Sequence, residues 1–115
     1  MLTMRLYILQ RLSALVMVPL VAAHLATMIY AIHGGLTVGE ILERTQGSLA
    51  WFAFYGLFVL AVAIHGAIGL RAILHEWAGV TRRLTLDAIT GIIGVALFLT
   101  GARAVWAVTF ADFAL

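Results

Sequence analysis

Apolar residues fill three stretches of this chain almost without interruption, at 12–32, 49–70 and 88–102, and polar residues collect between them. With its flanks, each stretch is long enough to cross a hydrocarbon layer roughly 30 Å thick, which takes about 20 helical residues. The polar connections are short and carry helix signals. Gly34-Gly35 ends the first helix, and Thr37-Val-Gly-Glu40 has the form of a capping box, in which hydroxyl and carboxylate satisfy each other's free backbone donors. Gly47 and Ser48 open the second span, Gly79 breaks it, and Thr81 or Thr85 with Asp87 offers a cap and a first-turn carboxylate for the third. The pattern predicts an all-α integral membrane protein in one domain, 1–115, with helices at about 5–33, 48–77 and 84–110 and a short surface helix at 37–44. Pro19 is expected to bend the first helix.

Composition agrees with this reading and removes other classes. Of 115 residues, 64% are hydrophobic and only 10% charged, which no ordinary soluble domain carries. The first apolar run is too long for the core of a signal peptide and lacks a convincing small-residue cleavage site, so it is expected to stay as a span. No cysteine is present, which excludes disulfides, thiolate-held clusters and covalently attached haem. The basic residues are all arginine. Arg5, Arg11, Arg71, Arg82 and Arg83 fall on one side of a three-span topology, against Arg44 and Arg103 on the other, so the N-terminus is expected on the cytoplasmic or matrix side. The net charge of +2 follows from this topology, since no basic stripe with interleaved aromatics suggests a nucleic acid.

Candidate chemistry lies inside the spans. His65 and His24 stand within apolar runs, and an ionisable residue there is a functional-site hypothesis by default. Gly66 and Gly69 beside His65 leave low relief for a wide planar macrocycle, and Arg71 stands where it can reach a propionate. The bland alternative is that a transmembrane histidine only hydrogen-bonds a neighbouring helix, worth about 1 kcal/mol. His65 lies about 17 Å along its helix from Glu76, and His24 about 20 Å beyond Arg11, so the two are not expected to share one iron. His33 and His75 fall at the interfaces, where a solvated histidine is ordinary. Gly91, Gly94 and Gly101 form a small-residue stripe on the third span, best read as helix packing.

Near the arginine-rich end, Arg11, Ser13, His75, Glu76 and Trp77 can be read as donors and proton carriers for a quinone, or as plain interfacial anchors. Flavin-binding fingerprints and cluster cysteines are absent, so any redox role is electron transfer within the membrane rather than catalysis by this chain alone.

The pattern Arg11-Leu-Ser13, then His65-x-x-x-Gly69-Leu-Arg71 with an acidic residue at Glu76, resembles the cytochrome b membrane-anchor subunits of succinate dehydrogenase and fumarate reductase, respiratory complex II. The length and three-span layout are similar too. The resemblance implies that His65 is an axial ligand of haem b, that His24 ligates a second haem, that Arg11 lies near the haem propionates and the quinone, and that Glu76 and Trp77 border the quinone; the positions of the residues themselves add Arg71 beside the haem and Ser13 beside the quinone. It also implies a larger helical bundle with a second anchor subunit, an iron–sulfur subunit and a flavoprotein subunit. Such an assembly sits in a bacterial or mitochondrial inner membrane, in the respiratory chain and tricarboxylic acid cycle. Two departures stand out: Gln10-Arg11-Leu-Ser13-Ala14 replaces the usual His-Arg-x-Ser-Gly, and Trp77 stands where one anchor subunit has a tyrosine. An indole donates a hydrogen bond but neither accepts one nor supplies a phenolic proton. The anchor of another quinone-linked b-type cytochrome, such as a formate dehydrogenase or hydrogenase, and a small non-redox membrane protein are the alternatives.

Overall fold

The computed structural model describes residues 3–111. They form four helices: α1 (Met4–Gly34), α2 (Val38–Thr45), α3 (Leu49–Glu76) and α4 (Arg83–Thr109). At 1.5 Å per residue the three long helices run about 40–46 Å, more than a bilayer's apolar thickness, so each can span it with its ends in the headgroup layer or with tilt. All three combine that length with high hydropathy. The chain is a multi-pass helical membrane protein. Pro19 lies within α1 and does not end it.

α3 is the centre of the arrangement: it packs along both α1 and α4, while α1 and α4 barely meet. Small residues make the α3–α4 contact close. A Cβ added at Gly94 would stand 3.0 Å from the Ala67 Cβ, and one at Gly101 would stand 2.6 Å from Val59 Cγ1. Two of the three stripe glycines therefore serve packing, whereas Gly91 faces open space. Hydroxyls inside the apolar helices satisfy themselves locally, as Thr90 does by donating to Leu86 O (2.7 Å) and Thr109 by donating to Val105 O (2.6 Å). Much of the remaining apolar surface, including Leu12, Leu15, Val18 and Leu25 on α1, stays exposed on this chain. Lipid or further helices must cover it.

The capping box forms as the sequence predicts. Thr37 Oγ1 accepts from Glu40 N–H, and Glu40 Oε2 accepts both the Thr37 hydroxyl (2.7 Å) and its N–H (3.0 Å). The Thr37 hydroxyl, then its backbone N–H, hold the Glu40 carboxyl below the ordinary glutamate range. α2 then closes the end of α4, whose last carbonyls have no helical donors. Thr45 Oγ1 donates to Val108 O (2.7 Å), Gly47 N–H to Thr109 O (2.6 Å) and the Gln46 amide to Ala111 O (3.0 Å). Gly47 reaches this carbonyl with φ +74°, a conformation that suits glycine.

The start of α4 departs from expectation. Arg82 is its N-cap, without a side-chain cap bond, and no acidic residue lies in the first turn. Asp87 is one turn too deep to serve there; its carboxylate accepts from Arg71 instead. A carboxylate gains more from a neighbouring buried guanidinium than from a helix terminus that water and headgroups already solvate.

Candidate functional site

α1 and α3 run antiparallel, and their register decides which polar residues meet. The Gln10 amide nitrogen lies 3.3 Å from where a Cβ would stand on Gly69, Ser13 meets His65, and His24 sits against Tyr55 and Phe58. Between the levels of Tyr55 and His65 lie about 15 Å of helix, so the two intramembrane histidines occupy separate depths.

His65 is half-buried, with Nδ1 3.3 Å from the Ser13 hydroxyl oxygen. Ser13 is 7% exposed, and its hydroxyl donates to Gln10 O at 2.9 Å. The other ring nitrogen, Nε2, has no hydrogen-bond partner among the described residues and is not sealed from solvent or ligand. The ring borders an open apolar groove of about 400 Å³, lined otherwise by Ala14, Met17, Val18, Val21 and Ala22 of α1. Gly69 offers no shelf beside the ring, since Gln10 fills that space, and a Cβ added at Gly66 would stand in ordinary contact with Leu97 Cδ1 of α4, 3.8 Å away.

His24 is held differently. Its ring meets Tyr55 edge-on at 5.9 Å between centroids and Phe58 at 5.4 Å, and its Nδ1 is buried without a partner. No hydrogen bond among the described residues holds it, whereas the Ser13 hydroxyl lies beside His65. The interfacial histidines are satisfied by nearby carbonyls: His33 Nδ1 donates to Ile29 O (2.9 Å) and His75 Nδ1 to Val80 O (3.1 Å).

The arginines divide. Arg71 is 6% exposed and turned to α4, where its Nε donates to Asp87 Oδ1 at 3.0 Å. On a helix, six residues past His65 is about a third of a turn away from its face, so Arg71 points away from the groove. Arg11 is exposed, with its guanidinium 5.6 Å from the Tyr7 ring centroid. It shares a helical stripe with Val18 and Ala22 of the groove and precedes the groove's Ala14 by about one turn.

The residues proposed for a quinone are not brought together. Ser13 is level with His65, about 17 Å along the bundle from Glu76. Glu76 and Trp77 are exposed at the end of α3, Trp77 to 85%.

A family described as the succinate dehydrogenase/fumarate reductase transmembrane subunit matches residues 1–102. The chain belongs to that family. It is also 32% identical over 96 residues to the succinate dehydrogenase hydrophobic membrane anchor subunit of Archaeoglobus fulgidus, covering 83% of this chain and 81% of the relative. No solved structure matches it.

In this transmembrane subunit, sequence reasoning missed two partners, and both left a signal. Asp87 is an acid at the edge of an apolar span, and it and Arg71 each lie eight positions from the Gly79 turn, which is where an antiparallel pair would place them opposite each other. Gln10 is a polar residue one turn before Ser13 on a helix facing a glycine. The donor set also bears on cofactor chemistry. Among the described residues no three of His, Cys, Asp and Glu gather, so a bare metal ion has no cage. A haem carries its own equatorial nitrogens and asks the protein only for an axial base and a flat apolar surface. The free nitrogen of His65 on its groove fits that requirement.

Proposed function

We propose that this chain is a haem b-binding membrane anchor of a succinate:quinone oxidoreductase, attaching flavoprotein and iron–sulfur subunits to an inner membrane and completing a bundle with a second anchor subunit. The observation that carries the haem assignment is the His65 ring, tethered through one nitrogen and open through the other on an apolar groove. Haem b, when bound, supplies a one-electron carrier inside the apolar layer. His65 Nε2 would be its ligand on this chain, and Arg11, about one turn before the groove's Ala14, would hold a propionate. Arg71 is committed to Asp87 and leaves that role to Arg11. The groove is open, so a second chain would cover its far side.

His24 is the position for a second haem. Its buried Nδ1 lacks the acceptor that supports a ligating imidazole, which favours His65 as the main site. At the arginine-rich end, taken to face the cytoplasm or matrix, Glu76 and Trp77 border the quinone with groups from the partner subunits. A carboxylate there can carry a proton when the quinone is reduced.

Purification of the tagged chain from its own membranes tests the assignment. The expected product carries a flavoprotein, an iron–sulfur protein and a reduced b-type spectrum; a colourless product, or one with other soluble subunits, overturns it. With two haems, His24→Ala halves the haem-to-protein ratio, and an unchanged ratio confines haem to His65. Glu76→Gln and Trp77→Phe should each slow quinone reduction at constant haem content. Unaltered turnover makes both residues interfacial anchors only.

A further inference from the structure

The short chain of contacts from Gln10 through Ser13 to His65 has a direction that the chemistry of its members sets. A serine hydroxyl has one proton to give and two lone pairs to accept with. The Ser13 hydroxyl lies 2.9 Å from Gln10 O and 3.3 Å from His65 Nδ1. A carbonyl can only accept, so the shorter contact takes the hydroxyl proton, and the serine oxygen then faces Nδ1 with a lone pair. Nδ1 must carry the ring proton. A neutral imidazole has only one, so Nε2 is left as a bare lone pair, and it is this nitrogen that has no partner.

We infer that Ser13 is a positioning residue for His65: it selects the Nδ1–H tautomer, fixes the ring against α1 and presents Nε2 to a ligand in the groove lined by Ala14, Met17, Val18 and Ala22. The inference rests on the haem reading for the identity of that ligand, but the tautomer stands on this chain's own atoms. It gives Ser13 a role at the imidazole rather than at a quinone. Burial strengthens the effect, since at 7% exposure Ser13 has little water to compete for its lone pairs. Such second partners orient ligating histidines and raise their basicity, and their loss typically lowers metal affinity by about 10–100-fold. An imidazole that donates from Nδ1 is the stronger electron donor through Nε2 and favours the oxidised metal.

The test compares Ser13→Ala and Ser13→Thr in the purified complex with wild type and with His65→Ala. In Ser13→Ala, haem retention should fall about 10–100-fold, the reduction potential should rise, and the low-temperature EPR signal of the oxidised haem should shift. Ser13→Thr keeps a hydroxyl that can bond the preceding turn, and it should restore all three. A potential and EPR signal in Ser13→Ala identical to wild type overturns the inference, as does a threonine variant that behaves like alanine, because then only packing is involved. A haem content in His65→Ala equal to that of wild type overturns the haem reading instead. The tautomer has its own readout without haem. In the full chain in bilayers with ¹⁵N-histidine, the His65 signal, identified by its loss in His65→Ala, should show protonated Nδ1 in wild type and lose that preference in Ser13→Ala. Protonated Nε2 in wild type refutes the inference.

Discussion

Replacing His65 by alanine removes the b-type absorption of this site from the purified complex while leaving the complex assembled. The ligand loss is complete because His65 supplies the open imidazole nitrogen on the groove, and alanine offers nothing in its place. Assembly survives because alanine is the best helix former and the ring is only half-buried, so its removal opens no deep cavity. The reduced-minus-oxidised spectrum and the pyridine-extracted haem per complex are the measurements. His33→Ala and His75→Ala serve as controls with unchanged spectra, since each ring donates to a carbonyl of its own connection or turn. A wild-type haem content in His65→Ala would leave the imidazole as a packing residue that bonds Ser13, and the redox reading of this site would fall.

The second large effect is on stability. Asp87→Ala strips the Arg71 guanidinium of its carboxylate while the arginine stays buried between α3 and α4. Removing one partner of a fully buried pair costs about 3–5 kcal/mol. The Asp87 side chain is 55% exposed, so water and headgroups already reach it. That exposure brings the expected loss down to about 1–3 kcal/mol. Thermal unfolding in detergent measures it. The double replacement Arg71→Met with Asp87→Leu should recover most of the loss, because two packed apolar side chains need no counter-charge. The haem spectrum should persist in the double variant, as Arg71 faces away from the groove. A displaced haem band there would return Arg71 to the neighbourhood of a propionate.

How much of this could be read along the chain depends on how far each feature reaches. The α2 capping box spans four consecutive positions, and Thr37 and Glu40 meet in the way their spacing requires. Ser48 caps α3 and Gly79 turns the chain after it for equally local reasons. His65 was conspicuous for the same kind of reason, an imidazole in an apolar run. Arg71 shows where that reasoning ends. Along the chain it reads as a partner for a propionate near His65, whereas Asp87 across the turn holds it. Ser13 likewise reads along the chain as part of a cluster near one membrane face with Arg11, His75, Glu76 and Trp77. The antiparallel register of α1 and α3 set it beside His65, about 17 Å from Glu76.

Span number, the surface helix, the two intramembrane histidines and the family pattern were thus all present in the order of residues, because hydropathy, capping and motif spacing act over a few turns of backbone. Which face each polar side chain turns to, and which partner it meets there, required the packed helices. In an apolar surrounding a polar group binds whatever donor or acceptor the neighbouring helix brings within about 3 Å. The loop through α2 and the close approach at Gly94 and Gly101 set that juxtaposition across positions far apart in the chain.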